Sequence, residues 1–305
     1  MSPNFTESLP AELVTHVKSG CGQPGEHWLS ELPTLVRQLE SAWSISVHKP
    51  FSGIEYNFVA PATTRDGAAV VIKIAPPWEP IEIFGEAAYL RSRNGVGCVK
   101  LLAEALECRG ILIERIIPGQ SMTEHFAGRE SDAVAPAIEA LRTVLRPIPH
   151  DLSNIASVDG WFDGLRKFQA TAFPADYAAK ALDIYDELSQ QPDRILYLHG
   201  DYHPGNVLTQ GESSFCVIDP KGWAGHIGYE IAVFLNNFHW WQEKKGDIRS
   251  LVNAAVKQFS DAFEISPEEL RRWAFAQMVI GAWWNFVDMP DLYDGEVVKA
   301  DIWDV

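Results

Sequence analysis

Residues 194–222 read RILYLHGDYHPGNVLTQGESSFCVIDPKG, and the reading of this stretch decides the fold. An apolar run ends at His199, Gly200 and Asp201, and Asn206 follows after four intervening residues. The chain then passes through a strand-like NVL, a turn at Gln210-Gly211-Glu212 and a strand-like SFCVI to reach Asp219. Taken singly these residues are ordinary, since His-Gly-Asp is a common turn tripeptide and an Asn after Pro-Gly is most often a turn residue. Together they place an amide oxygen and carboxylates on adjacent backbone segments, the hard oxygen donors that Mg²⁺ takes.

The order Asp, Asn, hairpin, Asp matches phosphoryl transfer of the kinase kind. There, one Asp accepts the hydroxyl proton of the acceptor, an Asn binds Mg²⁺, and a second Asp binds Mg²⁺ bridging the phosphates. Asp201 is then the catalytic residue, and Asn206 and Asp219 are the metal ligands. Such chemistry asks little covalent help of the protein, only metal ligands and a carboxylate that orients the attacking oxygen.

Working outward, the segment before this stretch divides in two. The first ~45 residues carry short helical patterns such as Leu32, Leu35, Val36 and Leu39. Strand-like runs SISVHKPF, EYNFVAPA and AAVVIKIA follow, the last two joined by Asp66-Gly67, a strong hairpin signal. EIFGEAAYLRS then puts Ile83, Ala87 and Leu90 on one helical stripe with Glu86 beside it, and VKLLAEAL and GILIERI add two more strands. Pro118-Gly119 marks the boundary. Beyond it the sequence predicts helices over 133–145, 158–169, 175–190, 229–241, 248–263 and 267–287, with one hairpin among them. The last opens on a capping box of Ser266, Pro267 and Glu269. The expected fold class is α+β, with a β-rich small lobe over residues 1–117 and a mainly helical large lobe over 118–305.

The chain of 305 residues carries 25 Lys and Arg against 41 Asp and Glu, a net charge of −16. That field repels phosphate backbones and anionic lipid, so neither nucleic acid nor a membrane is an expected partner; a cationic small molecule, or an anion carried in with a divalent metal, fits better. Cys21, Cys98, Cys108 and Cys216 form no C-x-x-C pair and read as reduced thiols. The start, MSPNFTESLP, has neither the basic residues nor the apolar stretch of a signal peptide, which implies a cytoplasmic protein. The apolar run from Trp273 to Trp284, interrupted by Gln277, is too short to span a bilayer and reads as a buried helix.

The motif H-G-D-x-x-x-x-N followed by I-D, here His199, Gly200, Asp201, Asn206, Ile218 and Asp219, resembles that of the aminoglycoside phosphotransferase family of kinase-like enzymes. Leu198, His203, Gly205, Val207, Leu208, Pro220, Lys221 and Gly222 extend the likeness to the streptomycin 6-phosphotransferase and hydroxyurea phosphotransferase subgroup. The resemblance implies a two-lobed protein-kinase-like fold using ATP and Mg²⁺. It implies that Lys73 pairs with the nucleotide phosphates and that Glu86 holds its ammonium group. Ser52 and Gly53 fall in the phosphate-covering loop, although a single glycine departs from G-x-G-x-x-G; Gly95 and Gly97 read as a plain turn. Glu114 to Ile116 offer backbone groups to the adenine edge. Lys221 faces the phosphates, the catalytic Asp or water, and His199 is an oriented core histidine.

For the acceptor, the resemblance implies carboxylates near the C-terminal helices, and this chain has Asp288, Asp291, Asp294 and Glu296 just after Trp283 and Trp284. Carboxylates and an indole face both suit ammonium or guanidinium groups. The plain alternatives are an exposed acidic loop and core tryptophans. The function implied is ATP-dependent phosphorylation of a hydroxyl on a small polar cationic molecule such as streptomycin. Two rivals stand beside it: a metabolite kinase of the same fold, and a catalytically silent nucleotide-binding protein, against which intact Lys73, Asp201, Asn206 and Asp219 argue. A protein kinase is disfavoured, because the short link from Gly222 to Gly228 leaves no room for an activation loop.

Overall fold

One kinked helix, α1 (Ala11–Trp43), occupies the region where the sequence predicts short helical pieces. Its break falls at Gly22, whose φ of 55° and ψ of −137° leave the helix, and Pro24 then stands in the first turn of the second half, where a missing N–H costs little. The structure is a computed structural model and describes residues 9–54, 56–78, 82–149, 155–168, 173–242, 248–288, 293 and 295–305. The chain divides into two units, Met1–Ile117 and Pro118–Val305.

The first unit adds β1 (Ile45–Val47), β2 (Phe58–Thr64), β3 (Ala69–Ile74), α2 (Glu82–Arg93), β4 (Leu101–Ala105) and β5 (Gly110–Glu114). They form one antiparallel sheet in the order β1-β2-β3-β5-β4. Only three residues of the predicted SISVHKPF strand pair as β1, since Pro50 has no N–H with which to continue the ladder. The β2–β3 hairpin turns at Asp66-Gly67, with Gly67 at φ 87° and the Ala68 N–H donating to Thr64 Oγ1 at 2.9 Å.

Strand alternation then assigns the faces. Phe58, Ala60 and Ala62 of β2, Val70, Ile72 and Ile74 of β3 and Leu112 of β5 pack with Trp28, Leu29, Leu32, Val36 and Leu39 of α1 in one core. Burial of each such Leu, Ile or Val side chain is worth about 1.5 to 3 kcal/mol. Lys73, with period 2, must lie on the opposite face, level with its neighbours Val59 and Ile111.

The second unit contains β6 (Pro118–Ser121), α3 (Met122–His125), α4 (Val134–Val144), α5 (Asp159–Lys167), α6 (Ala175–Leu188), β7 (Ile195–Leu198), β8 (Val207–Gln210), β9 (Ser214–Val217), β10 (Trp223–His226), α7 (Ile227–Gln242), α8 (Ile248–Phe263) and α9 (Pro267–Asp288). A 3₁₀ segment, Glu296–Trp303, follows α9. The predicted hairpin is β8–β9, but it gains a third strand, β6, and the link after Gly222 holds β10, which pairs antiparallel with β7. At the start of α9 the Glu269 N–H donates to Ser266 Oγ at 3.1 Å, while the Glu269 carboxylate turns away to lie 3.8 Å from His226 Nε2; the box is half made. No helix among the described residues is long and apolar enough to cross a membrane.

Candidate active site

Each unit holds its own set of polar groups. In the first, Lys73 Nζ on β3 lies 2.6 Å from Glu86 Oε2 on α2, and the two side chains are 7% and 4% exposed. The sheet face opposite α1 is the one α2 covers, so an inward Lys meets an inward Glu; a buried ammonium so deep requires such a partner. Ser52 and Gly53 are exposed in a turn, with Gly53 at φ 73°. Glu114 is tied to Lys100 twice, its N–H donating to the Lys100 carbonyl at 3.0 Å and its Oε1 accepting the Lys100 N–H at 2.9 Å. Ile116 is buried.

In the second unit, β7 delivers the chain into a loop built from backbone bonds. Gly200 has φ 82°, and a Cβ there would stand 3.2 Å from Lys221 Cβ, so both conformation and space call for glycine. His199 is fully buried; its Nδ1 accepts the Asp201 N–H at 3.2 Å, so Nε2 carries the proton and donates to the Ile218 carbonyl at 2.8 Å. Burial pushes its pKa down to about 4, and the ring is neutral, a spacer between the loop and the strand that leads to Asp219. The His199 carbonyl in turn accepts the Lys221 N–H at 2.7 Å and the Gly222 N–H at 3.2 Å.

Asn206 ends a 3₁₀ turn, Pro204–Asn206, and is 8% exposed. Its Nδ2 donates to the Asp201 carbonyl at 3.1 Å, and its own carbonyl accepts the Ile218 N–H at 2.9 Å. The structure therefore ties Asp201, Asn206 and the residue before Asp219 into one network. Asp219 is exposed and sits at φ 60°, a left-handed conformation costing an ordinary residue roughly 1 to 2 kcal/mol.

This donor set fits Mg²⁺. With Nδ2 engaged, Asn206 presents Oδ1 as its remaining amide atom, and Asp219 supplies a carboxylate. Among the described residues no group of three His, Cys, Asp or Glu could hold a metal, so a cation here would complete its shell from water or phosphate oxygens, the habit of Mg²⁺.

One residue of this network escapes the sequence reading. Glu230 on α7 is fully buried, and its Oε1 and Oε2 accept the His199 N–H at 2.6 Å and the Gly200 N–H at 2.9 Å. Burial raises its pKa to about 8, against the pull of the two amide bonds, and the Asp201 charge adds to the rise. The available signal was a lone carboxylate inside the apolar run IGYEIAVFL.

The expected acceptor-side residues separate. Trp283 is buried, packed on Gly164 and edge-on to Phe168 at 5.9 Å, which is the plain core alternative. Trp284 is half-buried and meets Trp161 edge-on at 4.1 Å; Trp161 in turn lies 3.5 Å from Trp223, whose Cγ would stand 3.5 Å from a Cβ at Gly200. The Asp288 side chain, Asp291 and Asp294 lie outside the described residues. Asn285 bonds Glu296 through Nδ2 and Oε1.

The fold is that of the protein-kinase-like structures. Amicoumacin kinase hAmiN, solved in complex with AMP-PNP, Ca²⁺ and Ami, aligns with 90% of this chain and 96% of its own at a TM-score of 0.60 and 17% identity. Within that class the chain belongs to the aminoglycoside/hydroxyurea antibiotic resistance kinase family, whose model matches residues 46–288. Streptomycin 6-kinase of Streptomyces glaucescens is 26% identical over 298 residues, covering 94% of each chain. Hydroxyurea phosphotransferase of Kitasatospora aureofaciens is 28% identical over 305 residues, covering 96% of this chain and 83% of the relative. The chain is thus a phosphotransferase with a hydroxyl acceptor, as the motif at residues 199–219 implies.

Proposed function

We propose that the chain transfers the γ-phosphoryl group of ATP, with Mg²⁺, to a hydroxyl of a small cationic acceptor, an aminoglycoside of the streptomycin kind. The observation that carries this reading is the network in which Asn206 Nδ2 bonds the Asp201 carbonyl and the Asn206 carbonyl bonds the Ile218 N–H next to Asp219. Mg²⁺, when bound, would neutralise charge on the phosphate oxygens. Asn206 Oδ1 and the Asp219 carboxylate are its proposed ligands, the latter on a left-handed backbone.

Asp201 takes the acceptor's hydroxyl proton as that oxygen forms its bond to Pγ and the bond from Pγ to the bridging oxygen breaks to release ADP. Lys73, held by Glu86, pairs with the α and β phosphates. Ser52 and Gly53 offer backbone N–H groups to phosphate. The Ile116 N–H, which has no partner among the described residues, is the donor for adenine, on a segment that Glu114 braces through Lys100. Lys221 is a further phosphate contact. On the acceptor side, Trp284 with Asp288 and Asp291 receives the cation.

Two lines support the acceptor class: the similarity to streptomycin 6-kinase and the net charge of −16. The similarity to hydroxyurea phosphotransferase supports a second acceptor, an N-hydroxy compound. The test is ADP release and product mass with streptomycin and with hydroxyurea, each with and without Mg²⁺. Streptomycin phosphorylation lost on omitting Mg²⁺ is expected. Turnover with hydroxyurea and none with streptomycin would overturn the cationic acceptor.

A further inference from the structure

We propose that the first half of α1 braces the phosphate-covering loop: His16 and Gly20 hold Tyr56 and Trp78, and Tyr56 steadies the loop that carries Ser52 and Gly53 for the phosphates of ATP. The inference rests on the nucleotide reading above. His16 and Gly20 stand one helical turn apart and so share a face of α1. The His16 ring stacks on Tyr56 with centroids 5.3 Å apart and an interplanar angle of 18°. Tyr56 meets Trp78 edge-on, 5.9 Å away at 85°. At Gly20 a Cβ would run into the Trp78 indole, so the helix accepts that ring only because the residue is glycine.

This cluster is not core packing of the ordinary kind. Tyr56 is 51% exposed, so the ring contributes little by leaving water; its contacts serve to hold the loop that carries it. Trp78 follows β3, which bears Lys73, and precedes α2, which bears Glu86, so one cluster touches α1, the loop and the connection between the two charged partners. Both halves of α1 reach the sheet core, through Leu13 and Val17 before the break at Gly22 and through Trp28, Leu32 and Leu39 after it, so the face that carries His16 and Gly20 is anchored to the sheet. His16 and Gly20 also lie outside residues 46–288, the stretch that the family model matches.

The experiment titrates the full chain with ATP plus Mg²⁺ and, separately, with adenosine, which has no phosphates, by calorimetry. Wild type is compared with Tyr56→Ala, Tyr56→Phe and His16→Ala. Aromatic pairs are worth about 0.5 to 1.5 kcal/mol, so Tyr56→Ala and His16→Ala should raise the Kd for ATP by ~3- to 10-fold. Adenosine affinity should stay as in wild type, and Tyr56→Phe, which keeps the ring, should lose less ATP affinity than Tyr56→Ala. ATP affinity unchanged in both Ala variants would overturn the brace. So would a parallel loss of ATP and adenosine affinity, the mark of general loosening. Wild-type protein that binds no ATP would instead overturn the nucleotide reading and the brace with it.

Discussion

The Lys73–Glu86 pair of the first unit and the loop 199–222 of the second both place polar groups away from water, and they do so by opposite means. Lys73 and Glu86 stand on a regular strand and a regular helix, and need only strand alternation and helical periodicity to meet at 2.6 Å. The loop has little regular structure on either side of its β8–β9 hairpin. It is held through the His199 carbonyl, the Asn206 amide and the Glu230 carboxylate, and it needs glycine at φ 82° and an Asp at φ 60°. The pair therefore does not tolerate loss of one charge alone but imposes nothing unusual on its backbone. The loop is the reverse: its chemistry rests in few side chains, and its geometry rests in backbone bonds that many substitutions would disturb.

Asp201→Asn gives the largest effect and isolates chemistry from geometry. The amide keeps the size of the side chain and leaves the backbone carbonyl that Asn206 uses, so ATP affinity should be retained. Loss of the proton acceptor should lower kcat by ~10² to 10⁴. A variant keeping more than about a tenth of wild-type turnover would remove Asp201 from the role of base.

Breaking the charged pair tests its intolerance. Lys73→Met leaves Glu86 buried without its cation, a loss of about 3 to 5 kcal/mol, which should lower the Tm sharply. The double variant Lys73→Met with Glu86→Leu replaces both charges by apolar groups and should recover most of that stability without recovering turnover. A double variant that is as active as wild type would show that Lys73 serves only the fold.

Glu230 tests the backbone side of the comparison. Glu230→Ala leaves the buried His199 and Gly200 N–H groups without an acceptor, at a cost of about 1 to 3 kcal/mol each, and turnover should fall while ATP affinity changes little. Its titration adds a second readout. The folded-state pKa is raised from 4.5 to about 8, so the folded chain keeps a proton that the unfolded chain has released. Between those values stability falls as pH rises, by up to about 1.4 kcal/mol per pH unit. Glu230→Gln carries no such proton. Melting curves from pH 5 to pH 8 should show wild type losing ground to Glu230→Gln as pH rises, and a gap that does not move would contradict the raised pKa.

The same contrast explains what was legible in the sequence. Lys73 and Glu86, and the tripeptide His199-Gly200-Asp201 with Asn206 and Asp219, are recognisable because their side-chain types recur at spacings set by strand, helix and hairpin. Glu230 was not, because its partners are backbone N–H groups some 30 residues away, and backbone groups carry no letter in the sequence. β10 was missed because Trp-Ala-Gly-His shows no alternation; its pairing with β7 is a tertiary event. The length of α1 was hidden by Gly20, Gly22, Pro24 and Gly25, which read as breakers although one kink at Gly22 absorbs the conflict.

The smallest effect concerns the acceptor and separates two neighbouring tryptophans. Trp283 fills space beside Gly164, so Trp283→Ala should act as a core truncation, with a lower Tm and no selective change in either KM. Trp284 keeps part of its ring in water and leans on Trp161, which touches Trp223 beside Gly200. An indole at an exposed site holds a cation with about 0.5 to 1 kcal/mol, which corresponds to a KM change of ~2- to 5-fold. Trp284→Ala should therefore raise the KM for streptomycin by that factor and leave the KM for ATP and the Tm nearly unchanged. Trp284→Phe keeps a weaker face and should fall between. Because a cationic acceptor would also be attracted by the net charge of −16, the KM of wild type and variant should both rise with ionic strength, while their ratio, set by a contact inside one Debye length, should hold. If Trp284→Ala moves both KM values together, Trp284 belongs to the core with Trp283, and the cation is recognised by carboxylates alone.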